Sequence, residues 1–341
     1  MILRDLLRES KKRIEESAIS DNLSGVPSGF SELDKLTYGW QSSELITIGG
    51  RAGMGKTSFA LTMARNIAVD NNIPIKFFSI ESSCASVVNK LISLETKLSL
   101  GKLKSGSLEK HELEQLNVHT KRLEKAPLYI DDTQAISIEK LVLKIRQAYE
   151  NEEIRIVIID YLQLIEIDDK NVKASNREQC VSIIVKKLKA ISKELSIPIV
   201  LISQLNRALE ERGGSKRPIL YDLRDSGAIE DDSDIVGFLY RPEYYKIDEW
   251  DDDERTPTQG QAELIIAKNR NGGLDNIRLE FIQHLGMFDN LVEFNSPFEF
   301  QTKLNNGNEN PFITKNLPNI DEAFGSSLNN DVNPDDSDVP F

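Results

Sequence analysis

The sequence has little cysteine, no long apolar run and a deficit of basic residues. Its 341 residues include only two cysteines, Cys84 and Cys180. They lie far apart and form no metal-ligand spacing, so neither a disulfide framework nor a zinc site is expected, and a reducing, cytoplasmic compartment fits best. The most apolar runs, 154–159 and 197–202, are broken by polar residues well short of the roughly twenty positions a membrane helix needs. The opening Met1-Ile2-Leu3-Arg4-Asp5 lacks the basic-then-apolar layout of a signal peptide. No membrane partner is therefore expected. Forty-two Lys and Arg stand against 55 Asp and Glu, a formal net charge of −13. That excludes a surface that attracts nucleic acid everywhere, though not a local basic lining. Residues 301–341 hold two lysines and seven acids, net −5, which leaves −8 for the rest.

What is present is ordinary for a globular core: 39% hydrophobic residues. Residues 1–17 pattern as a short amphipathic helix, with Ile2, Leu3, Leu6, Leu7 and Ile14 on one face. It is too short to be stable alone and is expected to dock on its own domain or on a neighbouring subunit. From residue 45 onward, short β-branched runs alternate with helical ones. The runs 45–49, 75–80, 128–130, 154–159, 197–202 and 235–240 suit buried parallel strands. Val181, Ile184, Val185, Leu188, Ile191 and Leu195 mark the clearest helix. The alternation implies an α/β fold with a mostly parallel central sheet covered on both faces. Runs 262–267 and 277–281 flank Asn271-Gly272-Gly273, a hairpin signal. The acidic stretch 248–261 reads as a surface loop. After residue 300 the composition turns to Asn, Asp, Ser and Pro, and a disordered acidic tail is expected.

One segment carries chemistry by itself. Gly50-Arg51-Ala52-Gly53-Met54-Gly55-Lys56-Thr57 follows one predicted strand and opens a helical run, 58–67. In that context the pattern is a P-loop. Its glycines let backbone N–H groups wrap phosphates, and the helix start adds its positive dipole end. Lys56 is placed to reach the β- and γ-phosphates of ATP, and Thr57 to ligate Mg²⁺. Asp160, ending the run 154–159, is the expected second magnesium ligand. Glu81 ends another strand at the same edge and is the candidate general base. Gln204, just past 197–202, is placed to sense the γ-phosphate. Each has a plainer reading: an acid at a strand end is often only a solvated turn residue.

Several further segments together resemble the ATPase domain of the hexameric replicative helicases of the DnaB type. They are Gly25-Val26-Pro27-Ser28-Gly29-Phe30 with Leu33-Asp34-Lys35-Leu36-Thr37, Phe78-Ser79-Ile80-Glu81, Asp160-Tyr161-Leu162-Gln163, Ser203-Gln204-Leu205-Asn206-Arg207, Asp222-Leu223-Arg224-Asp225-Ser226-Gly227 and Lys268-Asn269-Arg270-Asn271-Gly272. The resemblance spans about residues 1–295. It implies a RecA-like core, a homohexamer, and ATP bound between neighbouring subunits. Gly53, Gly55, Lys56, Thr57, Ser58, Glu81, Asp160 and Gln204 would lie on one side of that site. Lys268, Asn269 and Arg270 would come from the next subunit, Arg270 as a cation across the interface; from spacing alone Arg270 is simply an exposed turn residue. The resemblance also places Arg224, Asp225 and Gly227 against single-stranded DNA. Lys170, Lys173 and Arg177, just after the Asp160 strand, are a second candidate lining, with an ordinary solvated basic loop as the equal alternative. The resemblance implies translocation 5′ to 3′ in DNA replication, and contacts to a primase and a loader.

The departures are specific. The helical domain that usually precedes this one is not expected here, so the division read from the sequence is a linker helix at 1–20, the ATPase domain at 21–300 and the tail at 301–341. Ser82-Ser83-Cys84 lacks the customary methionine, and Lys90 stands where the family usually has arginine. The chain ends Asp335-Asp336-Ser337-Asp338-Val339-Pro340-Phe341, similar to the acidic tip of bacterial single-stranded-DNA-binding proteins. Phe341 is thus a candidate for recruiting replication partners; a merely solubilising tail is the plainer reading. Two other functions share the P-loop: a recombinase-like ATPase on single-stranded DNA, and a nucleotide-switched scaffold that unwinds nothing.

Overall fold

The β-branched runs become a nine-stranded sheet in the computed structural model of the chain. It describes residues 23–168, 177–223, 227–253 and 255–291, together with 3–5, 7, 8, 11 and 15, which are helical. The chain divides into two units, Met1–Val292 and Glu293–Phe341. The tail, Arg224, Asp225, Lys170 and Lys173 lie outside the described residues, as do most residues of the expected N-terminal helix.

The strands are β1 (Leu45–Gly50), β2 (Ile75–Ser79), β3 (Leu128–Asp131), β4 (Ile156–Asp160), β5 (Ile199–Gln204), β6 (Ile235–Tyr240), β7 (Gln261–Asn269), β8 (Asn276–Ile282) and β9 (Met287–Asn290). Their order across the sheet is β3-β2-β4-β5-β1-β6-β7-β8-β9. The pairings from β3 to β6 are parallel, and those from β6 to β9 antiparallel.

Period-two alternation explains why the central strands are apolar throughout. Ile156 and Ile158 of β4 join one buried cluster, and Val157 and Ile159 the other. In β5, Val200 and Ile202 divide from Ile199 and Leu201 in the same way. Helices α1 (Lys56–Arg65), α2 (Cys84–Thr96) and α3 (Lys110–Lys125) lie on the first side, where Phe59, Met63, Val87 and Leu91 are buried and Leu123 is partly so. Helices α4 (Ile138–Glu152), α5 (Arg177–Leu195) and α6 (Gly227–Asp232) contribute Leu141, Ile145, Leu188 and Ile229 to the second. Their starts are marked in the sequence. Ser83 and Ser137 accept N-cap hydrogen bonds from Ser86 and Lys140, and Glu109 with Glu112 forms a capping box.

Two expectations are refined. The link between β7 and β8 occupies 270–275, so Asn271-Gly272 lies within a longer loop rather than forming a two-residue turn. The acidic stretch 248–261 is largely exposed at its described positions, but Trp250 is buried within it. Trp250 donates to Gln261 Oε1 at 2.7 Å and lies beneath the Arg278 guanidinium, 4.7 Å from its ring centre.

Candidate active site

Register brings the strand ends together. Gly50 lies beside Gln204, and Ser79 beside Asp160. Because β2, β4, β5 and β1 are parallel neighbours, their C-terminal ends share one edge, where α/β sheets hold ligands. Glu81 follows β2 by two residues and is drawn to Asp160 by the bond from Ile80 N–H to the Asp160 carbonyl, 2.8 Å. Gly53, Gly55, Lys56, Thr57, Ser58, Glu81, Asp160 and Gln204 all line one cleft of about 450 Å³.

The P-loop needs glycine for a stated reason. Gly53 has φ +81° and Gly55 φ +90°, in the left-handed region that side chains disfavour. A β-carbon on Gly55 would also come within 3.0 Å of the Phe288 ring, and one on Gly53 within 2.7 Å of Tyr244. The chain then enters α1, whose first residues Lys56, Thr57 and Ser58 line the cleft, and a helix start has unpaired N–H groups to offer an anion.

Lys56 is partly buried and donates to the Arg51 carbonyl at 2.9 Å. Burial lowers its pKa to about 8, against the opposing pull of Asp160 and Glu81. Asp160 is 2% exposed. Its pKa is raised by burial and by the Glu81 charge, and is held back by a hydrogen bond from Thr57 and by the charges of Lys90 and Lys56. Lys90, in the place where arginine was expected, thus acts on Asp160 through its charge. The Thr57 hydroxyl paired with the Asp160 carboxylate is a hard-oxygen donor set beside a phosphate cradle. It suits Mg²⁺, which keeps most of its shell for water and phosphate oxygens.

Residues outside the expected set brace the P-loop from behind or line the cleft. Arg51 is buried, donates to the Leu205 carbonyl at 2.7 Å and pairs with Glu210 at 2.9 Å, which ties the P-loop to the segment after β5. Arg241, just after β6, donates to the Gly53 carbonyl at 3.2 Å, and its guanidinium stacks 3.9 Å from the Phe281 ring centre. Phe281, Gln283 and Gly286 line the cleft from β8 and the turn after it. Arg51 lay in plain sight within the P-loop; Arg241 and Phe281 are joined only by the pairing of β6 through β8.

Lys268, Asn269 and Arg270 lie elsewhere. Val236 pairs with Lys268 and Ile235 with Asn269, so these residues sit beside the start of β6. By register Lys268 is level with Thr47 and Asn269 with Ile46, so the P-loop, which leaves the other end of β1 at Gly50, is roughly 10–16 Å of strand away. Lys268 donates to the Glu230 carbonyl and Arg270 to the Asp231 carbonyl, both at the end of α6. Arg270 also pairs with Asp234 at 3.4 Å. Asp234 accepts in addition from Lys189 and from the Leu45 N–H at 2.8 Å. Gly227 opens α6, with open space among the described residues where a β-carbon would stand. Among the described residues, no helix is long and apolar enough to cross a membrane.

A parallel sheet with a P-loop at its C-terminal edge, an acid on the next-but-one strand and an antiparallel extension define a RecA-like P-loop ATPase domain. The family model for the DnaB-like helicase C-terminal domain matches residues 25–290. The chain belongs to that family. It is 37% identical to the replicative DNA helicase DnaB of Geobacillus stearothermophilus over 290 residues, 85% of this chain and 62% of that protein. It is 41% identical to a probable replicative DNA helicase of Trieres chinensis, over 81% of this chain and 60% of that one. The chain thus spans about three-fifths of the length of these relatives. Among solved structures, one of an ATPase domain on its own superposes with a TM-score of 0.77 at 34% identity, covering 85% of this chain and 99% of that domain. A DnaB-like replicative helicase, described with its interactions with primase, gives 0.74 at 34% identity, over 86% of this chain and 67% of that one.

Proposed function

We propose that this chain is the ATP-hydrolysing motor of a replicative DNA helicase, working in the cytoplasm as a ring of six on single-stranded DNA. The observation that carries it is the convergence of Lys56, Thr57, Asp160, Glu81 and Gln204 on one cleft, in a chain of this family. The P-loop backbone and Lys56 hold the polyphosphate of ATP. Thr57 and Asp160 would hold Mg²⁺, which neutralises phosphate charge when bound. Glu81, on the cleft wall, orients the attacking water and takes its proton. Gln204 bonds the γ-phosphate as a neutral amide.

Lys268 and Arg270 serve a neighbour's site rather than their own, because three or more residues of β1 separate them from the cleft of the same chain and both are turned to the end of α6. A head-to-tail contact would bring the β6 edge of one subunit to the P-loop edge of the next, and such contacts close into rings. Charge on the departing phosphate then meets a second subunit's cation. Arg224, Asp225 and Gly227 are assigned to the DNA backbone, translocation runs 5′ to 3′, and contacts to primase, to a loader and through Phe341 belong to the same reading.

The test is ATPase with and without single-stranded DNA, alongside unwinding of forked duplexes, for wild type and Lys56→Ala. DNA-stimulated hydrolysis with unwinding, both lost in the variant, is expected. Stimulated hydrolysis without unwinding would instead indicate a recombinase-like ATPase or a scaffold. Forks blocked on one tail or the other read the polarity.

A further inference from the structure

Gln163 follows β4 in a short 3-10 turn, Leu162–Leu164. Its amide faces the end of β5 and uses both its groups there. Nε2 donates to the Ser203 hydroxyl at 2.9 Å and to the Gln204 carbonyl at 3.3 Å. Oε1 accepts from the Gln204 N–H at 3.1 Å. The carbonyl of Gln163 in turn accepts from Arg177, the first residue of α5, at 3.2 Å.

The strand register explains why such a contact is needed. The ladder between β4 and β5 ends at Ile159 and Leu201. On its other side β5 continues, with Ser203 beside Gly49 and Gln204 beside Gly50. The last residues of β5 therefore have a strand neighbour on one side only. A primary amide offers an N–H donor and a C=O acceptor side by side, the same pair that one strand residue would present.

We propose that Gln163 is a positioning residue for ATP hydrolysis. Its amide extends β4 by one residue's worth of pairing, fixes the Gln204 backbone and so aims the Gln204 side chain into the cleft. This rests on the reading of Gln204 as the group that bonds the γ-phosphate. Nucleotide is held mainly by the P-loop and Lys56, which Gln163 does not touch. Its loss therefore slows the reaction far more than it weakens binding, since a small misplacement near the reacting phosphate is costly.

The experiment compares Gln163→Leu, Gln163→Glu, Gln204→Ala and Gln163→Leu/Gln204→Ala in the full chain, by steady-state ATPase with single-stranded DNA and by binding of a fluorescent ATP analogue. Gln163→Leu keeps the volume and removes the pairing. It is expected to lower kcat roughly 10- to 100-fold with KM and analogue affinity within about twofold of wild type. Gln163→Glu still accepts from the Gln204 N–H and recovers part of that loss. The double variant is expected to be no slower than Gln204→Ala alone, because the two residues act as a unit. A normal loss in Gln204→Ala with an unaffected Gln163→Leu, or with losses that multiply in the double variant, overturns this proposal alone. Unchanged kcat in Gln204→Ala overturns the assignment of Gln204, and this proposal with it. Loss of analogue binding in both Gln163 variants overturns it too, since it would show Gln163 holding the P-loop edge rather than aiming Gln204.

Discussion

Lys56 is the residue whose surroundings make the sharpest demand. With its pKa lowered to about 8 by burial, its ammonium is charged below that pH and neutral above it. A polyphosphate beside it favours the charged form, so binding above pH 8 must take up a proton. Nucleotide affinity is then expected to fall as pH rises from about 8 to 10. Calorimetry in two buffers of different ionisation heat checks this: uptake near zero at pH 7 should grow toward one proton by about pH 9. No uptake at the higher pH would contradict the placement of Lys56. Arg241 makes a different demand. Its bond to the Gly53 carbonyl and its stacking on Phe281 hold the back of the phosphate loop. Arg241→Met should lower the urea-unfolding free energy by about 1.5–3 kcal/mol, the contribution of a hydrogen bond from a charged donor, and should raise KM for ATP.

At the scale of elements, β4 tolerates little change, since its residues are buried on both faces. Ile158→Ala should cost about 2–5 kcal/mol by the transfer and cavity terms together, read as a lower urea midpoint at unchanged slope. The double-sided burial that makes β4 vulnerable also made it visible, because a parallel strand under two helical layers must be apolar at every position. For the same reason β1, β5 and β6 were legible in the sequence. The four-residue β9 was not: Met287–Asn290 has no pattern of its own, and only pairing with β8 and the packing of Phe288 on Phe59 and Gly55 give it a role. The site divides along the same line. Lys56, Glu81, Asp160 and Gln204 could be read because each lies at or just past the end of a strand, and parallel strands end at a common edge. Gln163 and Arg241 could not, because the β5 groups and the Gly53 carbonyl that their side chains bond lie 40 or more positions away and meet them only through register.

At the scale of the whole molecule, the proposed completion of the cleft by a second copy would make activity a property of the mixture. Lys56→Ala and Arg270→Ala should each be inactive alone. Mixed in equal amounts and allowed to exchange subunits, they should regain hydrolysis at about one interface in four, where an intact P-loop faces an intact Arg270. A mixture as inactive as its parts would show that both residues serve the same chain.

The short helix Gly227–Asp232 ends on carbonyls held by Lys268 and Arg270. A helix end carries partial negative charge, and six residues are too few to keep order without such caps. A guanidinium on the Asp231 carbonyl is not simultaneously on a neighbour's phosphate. On the proposed reading, nucleotide capture by one subunit would be traded against the anchoring of a helix in the next, which opens at Gly227, one of the positions assigned to DNA. Amide hydrogen exchange over 227–234 should quicken when a non-hydrolysable ATP analogue is added to wild type, and stay unchanged in Lys56→Ala. The ring would then work as an escapement, in which each filled cleft releases the grip of the subunit beside it.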